Sequence, residues 1–257
     1  MIKELLRTSK LIGFTSILLF ACLAPELVAI DNSVPEKVLF VGNSYTAQIK
    51  SVLGNMLKHS AYKDTTFEFI TKGGAKLAQH SVDTKTLERI KSGGFDLVVL
   101  QDQSQTPALS GSYAKSFHES VKVLSRVIKD SGGEVVLYMT WGRLDGDKQN
   151  KHLFPDYETM QEMLSDAYEK AAKKNKTLLA PVGEVWSRVR NKDEALGRAL
   201  YKGDGSHPSA KGALLAPAVF FRVMFDDSLE SVKYEGIMNA SEWGVVKEAA
   251  LRVKSKR

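Results

Sequence analysis

Cysteine is almost missing from this chain: Cys22 is the only one, and it lies near the start. No internal disulfide can form beyond it, so the stability of the rest must come from its core. Histidine is sparse and dispersed. His59, His80, His118 and His152 belong to no His, Cys or carboxylate cluster at ligand spacing, so the expectation is no metal and no cofactor. No internal repeat, low-complexity linker or composition break divides the chain. Strong charge asymmetry is missing too, with 36 Lys and Arg against 30 Asp and Glu. The excess is dispersed except at Lys247, Arg252, Lys254, Lys256 and Arg257, which suit a solvated helix face. No aromatic-rich basic strand pair or Cys/His finger accompanies it, so nucleic acid is not an expected partner.

Long apolar runs are also lacking. The stretch Leu11 to Leu23 is broken by Gly13, Thr15 and Ser16 and is too short to span a bilayer comfortably, which takes about 20 residues. It follows Lys3, Arg7 and Lys10 and leads through Pro25 to Leu27-Val28-Ala29. That order reads as an export signal over residues 1–29, leaving one domain over 30–257 in the periplasm or outside the cell. Leu19-Phe20-Ala21-Cys22 also resembles a lipobox, in which case the signal ends before Cys22 and a lipid holds the protein to a membrane. Phe20 and the apolar residues after Cys22 favour simple cleavage. Cleavage removes three bases and two acids and leaves a net charge of about +5, from +6 for the whole chain. The oligomeric state has no signature in the sequence.

What is present is an alternation of short apolar runs with helical periodicities. Lys37 to Gly42, Asp96 to Leu100, Glu134 to Met139 and Thr177 to Val182 read as strands, and Thr65 to Thr71 alternates like an edge strand. Tyr113, Phe117, Val121, Leu124 and Ile128 mark one helical stripe; Tyr157, Met160, Leu164, Ala167 and Ala171 mark another. Five strands separated by helices predict a doubly wound α/β fold with a parallel sheet, since parallel neighbours need crossovers.

Two stretches carry candidate chemistry. The first strand runs into Gly42-Asn43-Ser44-Tyr45-Thr46, which puts the Ser44 hydroxyl at the strand's C-terminal end, where ligands bind in open α/β sheets. Ser44 could equally cap the next helix. Far downstream, Asp204-Gly205-Ser206-His207-Pro208 sets a carboxylate three residues before a histidine in a turn. Asp204 can then accept the Nδ1 proton of His207 and leave Nε2 as a general base, with Pro208 restricting the backbone that aims the ring. Asp102 is an alternative carboxylate, but its pairing with His207 requires a tertiary assumption.

Together these blocks resemble the SGNH (GDSL-like) hydrolases over roughly residues 37–220. Gly42-Asn43-Ser44-Tyr45 matches their serine block and Asp204-Gly205-Ser206-His207 their Asp-x-x-His block. Asn43 and Tyr45 depart from the commoner Asp and Leu of the serine block. The combination with Met139-Thr140-Trp141-Gly142 and Ala180-Pro181-Val182-Gly183 is similar to a poorly characterised bacterial branch. The resemblance implies a three-layer α/β/α, flavodoxin-like sheet of five parallel strands. It also implies acyl transfer to water by Ser44, His207 and Asp204. An oxyanion hole would be formed by the amides of Ser44 and Gly74, in Lys72-Gly-Gly-Ala75, and by a side-chain amide from Leu100-Gln-Asp-Gln-Ser104. Gln103 aligns best with the family's Asn, and Gln101 competes with it.

Further residues carry two readings each. Trp141 and Arg143 leave the fourth strand toward the cleft, as a sugar platform and an anion clamp or as packing. His80 reads as a helix-surface residue more readily than as a cleft residue, and Trp186 as core. The expected function is an exported esterase acting on a small-molecule or polysaccharide ester, with acetyl groups on carbohydrate the leading substrate. A non-catalytic glycan-binding module and a lipase or thioesterase are the alternatives.

Overall fold

The computed structural model describes residues 34–255. Residues 1–29, read above as an export signal, lie outside the described residues, Cys22 with them. The elements follow in the order β1 (Lys37–Gly42), α1 (Ser44–Lys58), β2 (Thr66–Thr71), α2 (Leu77–His80), α3 (Thr84–Ser92) and β3 (Leu97–Leu100). Then come α4 (Ser112–Asp130), β4 (Glu134–Tyr138), α5 (Tyr157–Asn175), β5 (Leu178–Ala180), α6 (Val182–Lys192), α7 (Glu194–Ala199), α8 (Ala210–Phe225) and α9 (Ala240–Leu251). The five strands form one parallel sheet in the order β2-β1-β3-β4-β5. The strand boundaries differ from the expected ones by no more than two residues at an end, and the alternating β2 is indeed at an edge.

Residues Val38 to Val41 of β1 are all fully buried, because helices cover both faces of the sheet. Val38 and Phe40 join a core with α1, α6, α8 and α9, while Leu39 and Val41 join one with α4 and α5. The stripe on α5 is buried throughout, as are Phe117, Val121, Leu124 and Ile128 on α4. Tyr113 leaves its stripe: it stands in the first turn of α4, 46% exposed, with Lys76 Nζ 4.5 Å from the ring centroid.

From β1 the chain crosses first to β2 on one side and then to β3 on the other. The loops leaving β1 and β3 therefore diverge at the C-terminal edge of the sheet, the place where a ligand crevice forms in open α/β folds. Gln101, just past β3, stays in register there by donating its backbone N–H to the Val41 carbonyl at 2.9 Å.

Candidate active site

The site begins at the tight junction of β1 and α1. A Cβ on Gly42 would collide with Thr46 Oγ1 and lie 2.5 Å from Gln101 Oε1, so only glycine fits. Asn43, not Ser44, caps the helix. Its Oδ1 accepts the Tyr45 N–H at 3.0 Å, and its Nδ2 donates to the Ala75 carbonyl at 3.0 Å. Ser44 is thereby the first helical residue, with its hydroxyl released from capping. Its own N–H lies in the first turn, where no intrahelical carbonyl can accept it.

Ser44 Oγ lies 2.9 Å from His207 Nε2. His207 is delivered by a turn between α7 and α8 in which the Lys202 N–H meets the His207 carbonyl at 2.8 Å and Gly205 takes φ +65°. Asp204 organises that turn. Its Oδ1 accepts the N–H groups of Ser206 and His207, each at 2.9 Å, and its Oδ2 faces His207 Nδ1 at 2.6 Å. Partial desolvation opposes ionisation of Asp204, but the Ser206 amide and the His207 ring and amide outweigh it and hold the carboxyl below its ordinary range. An ionised Asp204 accepts the Nδ1 proton, which leaves the Nε2 lone pair to the Ser44 hydroxyl.

Gly74 sits at φ +67° in a turn closed by Ala75 N–H to the Lys72 carbonyl at 3.0 Å. The Asn43 bond to Ala75 ties that loop to the serine. Gln103 is half-buried, and its Oε1 accepts the Gln105 and Thr106 amides at 2.8 and 3.2 Å. One N–H of its Nε2 reaches Gln105 Oε1 at 3.3 Å, and the amide nitrogen has a second.

The structure corrects several expectations. Gln101 is wholly buried and cannot face a substrate: its Oε1 accepts Asn43 N–H and Thr46 Oγ1–H at 2.9 and 2.8 Å, and its Nε2 donates to the Asp102 carbonyl. Trp141 is no sugar platform either. It is fully buried, stacked between Tyr45 at 4.8 Å and Trp186 at 4.0 Å, with Nε1 donating to the Ser206 carbonyl at 3.0 Å. His80 is not on the surface. It is buried with Nε2 3.0 Å from the Gly42 carbonyl, and burial pushes its pKa down. Trp186 is core, as expected.

Arg143 remains partly accessible, its side chain 22% exposed, but Nη1 pairs with the buried Asp147 at 2.6 Å. Asp147 also accepts from Asn150 Nδ2 at 2.7 Å, from the Gln149 amide at 3.1 Å and from Gln105 Nε2. Desolvation would raise the Asp147 pKa, and these donors reverse it. Asp102 does not approach His207 in the hydrogen-bond pattern. Its Oδ1 accepts the Leu77 and Gln103 amides at 2.9 and 2.7 Å. Asp147, Gln105 and Ser206 have no site signature in the sequence, because the bonds that link them to the site, Gln105 to Asp147 and Ser206 to Tyr45 and Trp141, run between loops; the only signal for Tyr45 is its place beside Ser44.

No protein-family model and no curated protein matches the sequence. Solved structures do match. A candidate SGNH hydrolase from Slackia heliotrinireducens is 28% identical, with a TM-score of 0.60 over 72% of this chain and 96% of that one. A DUF4886 family protein from Bacteroides uniformis is 17% identical, with a TM-score of 0.67 over 84% and 93%. A catalytic mutant of an acetylxylan esterase from Geobacillus stearothermophilus is 15% identical, with a TM-score of 0.55 over 77% and 96%. Five parallel strands between two helical layers, shared with these proteins over most of their length, give this chain the SGNH hydrolase fold.

Proposed function

We propose that the chain is an exported serine ester hydrolase that transfers an acyl group to water. The observation that carries the reading is the unbroken line from Ser44 Oγ through His207 to Asp204, with contacts of 2.9 and 2.6 Å. His207 takes the Ser44 proton as Oγ attacks the ester carbonyl, then gives it to the departing alkoxide. Water repeats the step on the acyl-enzyme, and Asp204 stabilises the imidazolium each time. The oxyanion meets the Ser44 and Gly74 amides and the second N–H of Gln103. One such donor is typically worth about 100- to 1000-fold in rate.

The substrate we favour is acetylated carbohydrate. One finding supports it: acetylxylan esterases share the fold. The export leader expected from the sequence would bring the enzyme to polymers outside the cytoplasm. Hydrolysis of aryl acetate and of longer aryl esters tests the reaction. Ser44→Ala and His207→Ala should each lose at least about 1000-fold in turnover, and Ser44→Ala should no longer be labelled by an organophosphonate. Full activity in Ser44→Ala would sink the nucleophile assignment. A wild type that neither hydrolyses esters nor labels would point to the binding module. Preference for long acyl chains, with acetylated polysaccharide left intact, would move the substrate to lipids or thioesters.

A further inference from the structure

We propose that Tyr45 is a positioning residue for the reaction proposed above, on which this inference rests: its hydroxyl and the Trp141 indole grip Ser206 and thereby hold His207 against Ser44. Tyr45 follows the nucleophile on the first turn of α1 and is 3% exposed. Its hydroxyl lies 2.6 Å from Ser206 Oγ, a residue 161 positions away in sequence. The Ser206 carbonyl accepts from Trp141 Nε1 at 3.0 Å, and the Ser206 N–H goes to Asp204 Oδ1 at 2.9 Å. Every polar group of Ser206 is thus spoken for, and each bond leads to a different part of the site.

The rings reinforce the grip. Tyr45 stacks on Trp141 with planes 8° apart, and His207 packs against Tyr45 edge to face, at 5.2 Å and 66°. The turn that carries His207 is exposed at Lys202, Gly203 and Asp204. The Gly205 carbonyl ties it to the Leu144 N–H at 2.8 Å and Lys202 Nζ ties it to Gln48 Oε1 at 2.6 Å, while Tyr45 and Trp141 hold Ser206, the residue next to the base. Because Ser44 and Tyr45 are adjacent on one rigid helix, the phenol fixes the base relative to the nucleophile. The commoner Leu of the serine block has no hydroxyl with which to do so. Misplacing a base by a fraction of an ångström costs chemistry and leaves ground-state binding intact.

Tyr45→Phe keeps the stacked ring and deletes the bond, so the test measures kcat and KM for aryl acetate in the full-length chain. The expected result is a fall in kcat of about tenfold, with KM within about twofold of wild type and a loss of stability no larger than that of one hydrogen bond, about 1 kcal/mol. Ser206→Ala should fall equally, Ser206→Thr should recover, and the double variant Tyr45→Phe/Ser206→Ala should fall no further than either single change. Wild-type kcat in Tyr45→Phe, or a double variant whose loss is the product of the two, overturns the strut and leaves the hydrolase reading standing. A wild type that neither hydrolyses esters nor labels with an organophosphonate overturns both.

Discussion

Asp102 and Asp204 are the two carboxylates the sequence offers as partners for His207, and burial drives them apart. Asp204 stands half in solvent and is held low by the donors around it. Asp102 is fully buried. Desolvation pushes its pKa up to about 6, against the pull of the Leu77 and Gln103 amides. The native state therefore keeps a proton that the unfolded chain releases from its ordinary pKa of 3.8 upward. With more protons bound in the native state, stability from this group is present at low pH and is lost as pH rises from about 4 to about 6. Asp102→Asn keeps the Oδ1 acceptor and cannot ionise. Its stability relative to wild type should rise through that window, by on the order of 3 kcal/mol in total, in urea unfolding at several pH values. The fixed cost of seating the amide cancels in the comparison, so a difference flat with pH would show that Asp102 ionises freely. The Asp204–His207 pair was legible in the sequence because four residues of one turn contain it. The burial of Asp102, His80 and Trp141 was not, because elements distant in sequence cover them.

At the scale of the element, the junction of β1 and α1 is what presents Ser44, and Gln101 is its clamp. Sequence alignment left Gln101 and Gln103 competing for one role because they stand two positions apart on the same loop. Packing separates them. Removing the Gln101 side chain strands the Asn43 N–H and the Thr46 hydroxyl in a buried site, at about 1–3 kcal/mol for each unsatisfied group. Gln101→Ala should thus lower the denaturant midpoint clearly and lose turnover as a consequence. Gln103→Ala also strands donors, the Gln105 N–H and the Thr106 hydroxyl, so its stability should fall as well, by about 1–3 kcal/mol for each group left unsatisfied. Its turnover should fall about 100-fold or more if the amide meets the oxyanion. Wild-type turnover in folded Gln103→Ala would refute this division of labour. The Gln103 amide is itself oriented through Gln105, whose Nε2 is held by Asp147 from the loop after β4. Such a relay between loops has no local sequence signature.

The described residues form one sheet with a core on each face, and that much could be read from strand patterning. Residues alternating along β1, β3 and β4 feed the two cores in turn. Which helix covers which face was less legible, since it depends on the crossover order. One consequence can be measured. Trp141, Trp186 and Trp243 are all the tryptophans in the chain, and all lie in the core that holds α1, α6, α8 and α9. Tryptophan fluorescence therefore reports on one face only. Leu124, fully buried on α4, belongs to the other core. Leu124→Ala should cost about 2–5 kcal/mol, a large part of the roughly 5–15 kcal/mol that holds a domain folded. Because both faces are built on the same strands, that cost cannot stay on one side. The fluorescence midpoint in denaturant should shift as far as the far-ultraviolet circular dichroism midpoint, although Leu124 lies in the core without tryptophan. A fluorescence transition left in place while the dichroism signal moves would mean that the two faces unfold separately. Ser44 and His207, both carried by the tryptophan-containing side, could then stay aligned while α4 and α5 come away.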